Sequence, residues 1–323
     1  MRRMAAALSV CALLFQTAAL ADSGGDPVSW LGRIASAGQQ LNYSGTFIYQ
    51  SGGNLETSRI TRLVDASGER ERLEVLDGSP REVIRNNAEV RCVLPDQRLV
   101  IMDRSGTARS FPSRLPGSYA SVGEHYSVRA GEPARVAGLD TQLIILEPRD
   151  DLRYGHMLWA DLASGLLVKA RMVGPEGELI EQFAFTDVRI GGEIAAEALQ
   201  PRFEGGQDWR VIDVQGEVVR EEDSDWVLAS PLPGYLLKSI VRRPLGNERG
   251  EILHMVYGDG LAAISVFVEP VGADHPSPPA EALHSGAINI YKRLVSGHLV
   301  TALGEAPARA VRMLGDGIEP VRK

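Results

Sequence analysis

Six histidines, two cysteines and scattered carboxylate pairs are the side chains here best suited to chemistry, and their spacing does not assemble a catalytic centre. His125, His156, His254, His275, His284 and His298 stand in neither an HExxH nor an HxH arrangement, so a zinc site has no sequence basis. No Gly-x-Ser-x-Gly nucleophile elbow and no Walker loop occur. Gly258-Asp259-Gly260-Leu261-Ala262-Ala263 fits a loose dinucleotide fingerprint, but that motif needs a helix N-terminus behind it to hold the pyrophosphate. The next stretch, Ala263 to Val268, reads as strand, so the glycines are expected to make a hairpin turn. The acidic pairs Asp150-Asp151 and Glu221-Glu222 lie in turn or linker sequence and read as solvated surface. Arg242-Arg243, beside a strand end, reads as a solvated face ahead of an anion site. The chain is therefore read as a non-enzyme with no cofactor and no metal.

The N-terminus carries an address rather than a fold element. Arg2 and Arg3 precede an apolar run from Met4 to Phe15, and Ala19-Leu20-Ala21 offers the small residues that a signal peptidase reads. Residues 1–21 are expected to be a secretory signal peptide cut between Ala21 and Asp22. The apolar run is short for a membrane span, and no later stretch is long and apolar enough to be one. A soluble, exported protein is expected. Cys11 leaves with the signal, so Cys92 has no partner for an internal disulfide. Its strand-like setting, Val90 to Leu94, favours a buried structural thiol, with a mixed disulfide to a partner as the alternative.

The 323 residues are 44% hydrophobic and 24% charged, ordinary globular usage for about two domains. The net charge of −8 becomes −10 once Arg2 and Arg3 leave, which argues against nucleic acid as a partner. Only four of the 34 basic residues are lysines, so many side chains can make bidentate contacts with carboxylate or phosphate.

The elements follow from periodicity. Asp26 is a good N-cap, Pro27 suits the first helical position, and Trp30, Ile34, Ala37 and Leu41 form one apolar stripe. Short strands separated by Gly, Asn and Asp turns then run from Gly45 to Asp103 and resume from Arg135 to Ile190. Roughly ten such strands imply a barrel or strongly curved sheet. An irregular flap is expected over Ser105–Glu132, where prolines and glycines surround Phe111, Leu115 and Tyr119. Phe47 and Tyr49, Met157 and Trp159, and Phe183 and Phe185 each sit two apart on a strand, so each pair shares a face. They are read either as packed core or as the lining of a partly open interior that takes a lipid chain.

Composition shifts near residue 204. Residues 22–225 carry 22 basic and 33 acidic side chains, against 10 and 9 over 226–323. The expected organisation is a large domain over 22–204, a polar linker over 205–225 and a small antiparallel domain over 226–323.

Several motifs together resemble one family. They are Tyr43-Ser44-Gly45-Thr46-Phe47-Ile48-Tyr49 after a capped helix, Arg153-Tyr154-Gly155, Ser164-Gly165-Leu166-Leu167-Val168-Lys169 and Glu181-Gln182-Phe183-Ala184-Phe185-Thr186. In the small domain they are Pro231-Leu232-Pro233-Gly234-Tyr235, Tyr257-Gly258-Asp259-Gly260-Leu261-Ala262 and Ser265-Val266-Phe267-Val268-Glu269-Pro270. In this order, over nearly the whole mature chain, they resemble the MucB/RseB family of periplasmic regulators of the sigma-E response. The match departs in the linker and around Val93–Pro116. The resemblance implies a mainly β (α+β) protein: a large unclosed antiparallel barrel similar to LolA-type lipoprotein carriers, with lid helices, and after it a small antiparallel sheet domain.

The resemblance also implies function. Such a protein binds the periplasmic domain of a membrane-bound anti-sigma factor, shields it from regulated proteolysis, and releases it on meeting lipid, lipopolysaccharide or lipoprotein acyl chains. Phe47, Tyr49, Met157, Trp159, Phe183 and Phe185 are the lipid candidates. Arg242, Arg243, Tyr257 and Phe267 are the candidates for the partner surface, which is expected mainly on the small domain. A homodimer stays open. The alternative is a periplasmic lipid or lipoprotein carrier without a regulatory partner; a periplasmic hydrolase lacks a nucleophile–base pair.

Overall fold

Helix α1, Pro27–Gln40, starts as its sequence requires: the Asp26 carboxylate accepts the Val28 N–H at 3.2 Å and Pro27 occupies the first turn. Its buried stripe is Trp30, Leu31, Ile34, Ala35, Ala37 and Gly38. The computed structural model describes residues 26–104, 122–203, 205–206, 208–244, 250–272, 276–278 and 283–321. The expected signal peptide with its cut at Ala21 and Asp22, the flap over 105–121, and His275 lie outside the described residues.

After α1 come β1 Tyr43–Ser51, β2 Asn54–Asp65, β3 Gly68–Val75, β4 Glu82–Asn86, β5 Glu89–Leu94 and β6 Leu99–Asp103. A single turn of helix, α2 Val122–His125, leads into β7 Tyr126–Ala130, β8 Ala134–Val136, β9 Leu139–Pro148, β10 Gly155–Asp161, β11 Leu167–Val173 and β12 Leu179–Ile190. The connector holds β13 Arg210–Asp213 and β14 Glu217–Val218. The rest is β15 Trp226–Leu228, β16 Leu236–Pro244, β17 Glu251–Gly258, β18 Ala263–Pro270, β19 Leu283–Ser285, β20 Ile288–Val295, β21 His298–Gly304, α3 Ala308–Gly317 and β22 Ile318–Pro320.

The large sheet has thirteen strands in the order β13-β6-β5-β4-β3-β2-β1-β12-β11-β10-β9-β7, with β8 also on β9. Its end strands do not pair with each other, so the barrel is unclosed. It is nevertheless strongly curved. Ile60 on β2 and Ile144 and Leu146 on β9 lie five strands apart in the sheet yet share one core with Trp30, Leu31 and Ile34 of α1. Gly45 is a sequence requirement of the β1–β12 pairing, because a Cβ there would stand 2.4 Å from the Asp187 carbonyl and 2.9 Å from the Phe185 ring.

The small domain is a seven-stranded sheet, β14-β16-β17-β18-β21-β20-β19, with a separate β15–β22 pair. Ile240, Met255, Tyr257, Ile264, Val266, Val300 and Ala302 face Ala310, Val311 and Leu314 of α3.

Two expectations change. Tyr126–Ala130, placed in the irregular flap, is a strand paired with β9. The polar linker over 205–225 is not free chain: β13 adds in parallel to β6, and β14 adds antiparallel to β16. Four- and two-residue strands are too short to show a period of two, so the sequence reads as loop there. Among the described residues no helix is long and apolar enough to cross a membrane.

Candidate functional site

Three of the family-like motifs, Arg153–Gly155, Pro231–Tyr235 and Tyr257–Ala262, meet at the junction between the two sheets. Arg153, in the loop between β9 and β10, has a side chain with no exposed surface. It donates from Nε to the Asp259 carboxylate at 2.8 Å, from one terminal nitrogen to Asp150 at 2.5 Å, and from the other to the Pro233 carbonyl at 2.7 Å. Its guanidinium also lies 4.9 Å from the centre of the Tyr235 ring. The fork geometry of arginine suits such a three-way hold, since donors leave in three fixed directions.

Asp259 is equally committed. One carboxylate oxygen accepts the Leu261 and Ala262 N–H groups at 2.9 and 2.8 Å, which fixes the turn into β18. The other accepts Arg153 and the Tyr126 hydroxyl, the latter at 3.3 Å. Burial, and then the Asp259 charge, push the Tyr126 phenol far above its ordinary range, so it stays a neutral donor. The expected hairpin reading of Gly258–Ala263 holds: the glycines shape a turn, and strand comes after it.

Apolar exchange reinforces the ion pair. Leu152, from the large domain, is buried in the core of the small one, while Leu261, from the small domain, packs on the core of the large one. Burying one leucine stabilises by roughly 1.5–3 kcal/mol, so the exchange favours the docked arrangement. Further contacts bracket it. The Tyr235 hydroxyl donates to the Leu152 carbonyl at 3.1 Å, Asn289 donates to the Tyr154 hydroxyl at 3.0 Å, and the Ala287 N–H donates to the Ser51 hydroxyl at 2.9 Å. Arg309 of α3 pairs with Asp151. Gly234 has φ of +76°, and a Cβ there would stand 2.2 Å from a terminal nitrogen of Arg153.

The lipid candidates divide between the two faces of the large sheet. Phe47, Phe183 and Phe185 lie in the core beneath α1, with ring centres 5.8 to 6.4 Å apart in edge-on contacts, and Tyr49 packs against that core. Met157 and Trp159 point the other way, because Leu158 and Ala160 between and beside them occupy that core. Trp159 lies under Lys169 and Arg171, at 4.6 and 5.7 Å. Met157 instead lines a cavity of about 500 Å³ with Ile145, Pro148, Val173 and the charged Arg129, Glu147 and Asp150. A smaller space of about 70 Å³ opens at the junction between Leu158, Ala170, Met172 and Phe183 of the large domain and Leu261 and Ala262 of the small one.

The partner candidates also separate. Tyr257 is 3% exposed and belongs to the small-domain core. Arg242 sits opposite Leu253 on the α3 side of the sheet and pairs with Glu251 at 3.6 Å. Arg243 and Phe267 lie on the opposite face, where Phe267 stacks on His254 with ring centres 4.3 Å apart. Cys92 is a free, half-buried thiol on β5, and burial pushes its pKa up. Among the described residues no group of three or more His, Cys, Asp or Glu side chains could hold a metal ion.

Two family models match this two-sheet arrangement on either side of the connector: the MucB/RseB N-terminal domain over residues 26–203 and the MucB/RseB C-terminal domain over residues 220–319. The chain belongs to the MucB/RseB family. It is 32% identical over 311 residues to the sigma factor AlgU regulatory protein MucB of Pseudomonas aeruginosa, covering 93% of each chain. It is 25% identical to the sigma-E factor regulatory protein RseB of Haemophilus influenzae, covering 88% of each. Among solved structures, MucB in complex with MucA(peri) matches with a TM-score of 0.71 at 26% identity, over 92% of this chain and 100% of that one. MucB alone matches with a TM-score of 0.68 at 28% identity, over 93% and 99%.

Arg153 and Asp259 both lie in the motifs that carry the family resemblance, yet sequence reasoning gave neither a role. Their signal was the presence of a charged residue inside otherwise structural turn motifs.

Proposed function

We propose that this protein is a periplasmic negative regulator of a sigma-E-type envelope-stress response. It binds the periplasmic domain of a membrane anti-sigma factor, shields it from regulated proteolysis, and lets go when lipid or lipopolysaccharide is bound. The observation that carries the partner is the similarity, over nine-tenths of the chain, to MucB in complex with MucA(peri). Export by a cleaved signal peptide over residues 1–21 belongs to the same reading.

The junction supplies a physical route for the lipid. An acyl chain entering the space beside Phe183 and Met172 meets Leu261. Leu261 is two residues from Asp259, whose carboxylate holds the Leu261 N–H. Lipid that displaces Leu261 therefore loosens the Arg153–Asp259 pair and with it the relation of the two domains. In this division the large domain, 22–204, takes the lipid beside Phe183, with Phe47 and Phe185 in the packed core behind it. The small domain, from Trp226 onward, holds much of the partner, with the half-buried Arg243 and Phe267 on the face away from α3 and Arg242 on the α3 side as the candidates. Linkage makes the coupling reciprocal: if lipid weakens partner binding, partner weakens lipid binding by the same factor.

Calorimetry of residues 22–323 with the periplasmic domain of the organism's membrane anti-sigma factor tests the reading. Saturable binding that lipid A weakens at least fivefold supports it. Undiminished affinity in saturating lipid rejects the sensing step, and absence of binding rejects the regulator.

A further inference from the structure

The connector between the domains covers one edge of each sheet while burying almost nothing of itself. All four residues of β13 are exposed, Val211 at 58% and Ile212 at 37%. β14 is exposed too, and only at Val219 does the chain enter the small-domain core. By contrast β6, which β13 covers, buries Leu99 and Val100.

Backbone pairing and charge hold β13 in place. It runs parallel to β6, with Arg210 opposite Leu99 and Asp213 opposite Met102. The Arg210 N–H donates to the Arg98 carbonyl at 2.9 Å and the Val214 N–H to the Met102 carbonyl at 2.8 Å. Parallel pairing is slightly the weaker kind, and a segment with few buried apolar contacts opens at low free-energy cost. Ion pairs flank it: Asp208 on Arg98 at 2.7 Å, with side chains 63% and 69% exposed, and Asp213 on Arg104. Exposed pairs of this kind contribute little to stability. Once β13 lifts, β6 presents a row of N–H and C=O groups, with Arg98 and Arg104 at its two ends; Arg104 keeps Glu89 at 3.1 Å.

The geometry points to the β6 edge as a strand-addition site for an extended segment of a partner protein bearing two acidic residues five positions apart. The protein's own Asp208–Asp213 shows the required chemistry. Main-chain donors reach the Arg98 and Met102 carbonyls, and a carboxylate meets an arginine at each end. Strand addition of this kind draws affinity from the main chain and selectivity from the flanking side chains. Here the charges set selectivity, because Val211 and Ile212 face solvent. Exchange also frees the connector, lengthening the tether between the domains.

The test uses the mature chain and a fluorescein-labelled synthetic peptide of residues 208–215. Ile212 shares the alternation of Arg210 and Val214, so Ile212→Pro removes a donor from the β6 pairing. The peptide is expected to bind Ile212→Pro at least tenfold tighter than wild type. A peptide with both aspartates replaced by asparagine is expected to bind at least tenfold more weakly. No binding to a variant that circular dichroism shows to be folded overturns the site. Dimerisation of the variant in size-exclusion chromatography with light scattering overturns the partner, because the edge then takes a second copy. If Ile212→Pro does not fold, hydrogen exchange on wild type decides. The β6 amides facing β13 are expected to exchange at least tenfold faster than those of β1, and equal protection overturns the proposal.

Discussion

Arg153 and Asp259 are 106 residues apart in sequence and 2.8 Å apart in the fold, with neither side chain exposed to solvent. Each domain contributes one charge to this pair; Arg153 also has Asp150 of its own loop, so it is Asp259 whose charge goes unmatched by arginine unless the domains dock. Undocked, both charges would be hydrated and the cost of burying them avoided. Docked, Arg153 keeps Asp150 of its own loop and gains Asp259 and the Pro233 carbonyl. The pair therefore defines one orientation of the two domains more than it adds net stability, as buried ion pairs often do.

Asp259→Ala is expected to destabilise the protein by about 1–3 kcal/mol, because it leaves the buried Arg153 Nε–H without an acceptor and frees the turn into β18. The double change Arg153→Met, Asp259→Leu is expected to regain the part of that loss due to the guanidinium, since methionine there needs no acceptor, while the Leu261 and Ala262 N–H groups stay without theirs. Chemical denaturation of wild type, Asp259→Ala and the double variant checks this. A double variant no more stable than Asp259→Ala would contradict it.

Gly234→Ala should disturb the same junction without altering charge. The residue has φ of +76°, and the added Cβ would crowd Arg153 and, at 2.3 Å, His125. Positive φ in a non-glycine residue costs on the order of 1–3 kcal/mol. A fall in thermal midpoint by several degrees, with domain separation visible in small-angle scattering, is expected. An unchanged profile would show that the junction is not tightly packed there.

Two buried groups give the stability a pH signature. Glu71 lies with Glu69 around the buried Arg62, and burial raises its carboxyl from 4.5 to about 7, against the pull of Arg62 and Arg85. The folded state then keeps a proton that the unfolded chain has released. The stabilisation is full below about 4.5 and lost as pH rises through about 7. The stability difference between wild type and Glu71→Gln should change by on the order of 2–3 kcal/mol between pH 5 and 8. His254 acts oppositely: burial and then Arg243 lower it from 6.5 to about 4, while Asp103 pulls it up. Its contribution is present above 6.5 and lost as pH falls through about 4. Denaturation midpoints of wild type, Glu71→Gln and His254→Phe across this range separate the two. Parallel curves would contradict both.

The junction space gives a test of lipid entry. Leu261→Trp should fill the gap of about 70 Å³ between the domains and weaken displacement of a fluorescent acyl probe at least fivefold, with the fold retained. Phe47→Ala, in the packed core, is expected instead to cost about 3–5 kcal/mol of stability. Undiminished acyl binding by Leu261→Trp would place entry elsewhere.

Local pattern disclosed most of the fold and little of the site. The capped helix α1 and the alternating strands were readable because periods of 3.6 and 2 act within a few residues. Pairs such as Phe183 and Phe185 were correctly put on one face. The face of Met157 and Trp159 relative to Phe47 was not readable, because it depends on the pairing of β10, β11, β12 and β1, which shifts register at Trp159/Ala160 and Thr46/Phe47. Helix α3 escaped notice: Gly315 and Gly317 weaken its propensity, although Gly315 lets it approach Tyr291, where a Cβ would come within 2.6 Å. The Arg153–Asp259 pair is purely tertiary, and nothing in either local sequence announces the other.

The most direct measurement compares the affinity of wild type and Asp259→Ala for the periplasmic domain of the membrane anti-sigma factor, by calorimetry on residues 22–323. If the docked junction sets the partner surface, wild type binds saturably and Asp259→Ala binds at least fivefold more weakly, at a temperature where both are folded. Equal affinities would contradict a role for the junction, and no binding by wild type would contradict the regulator itself.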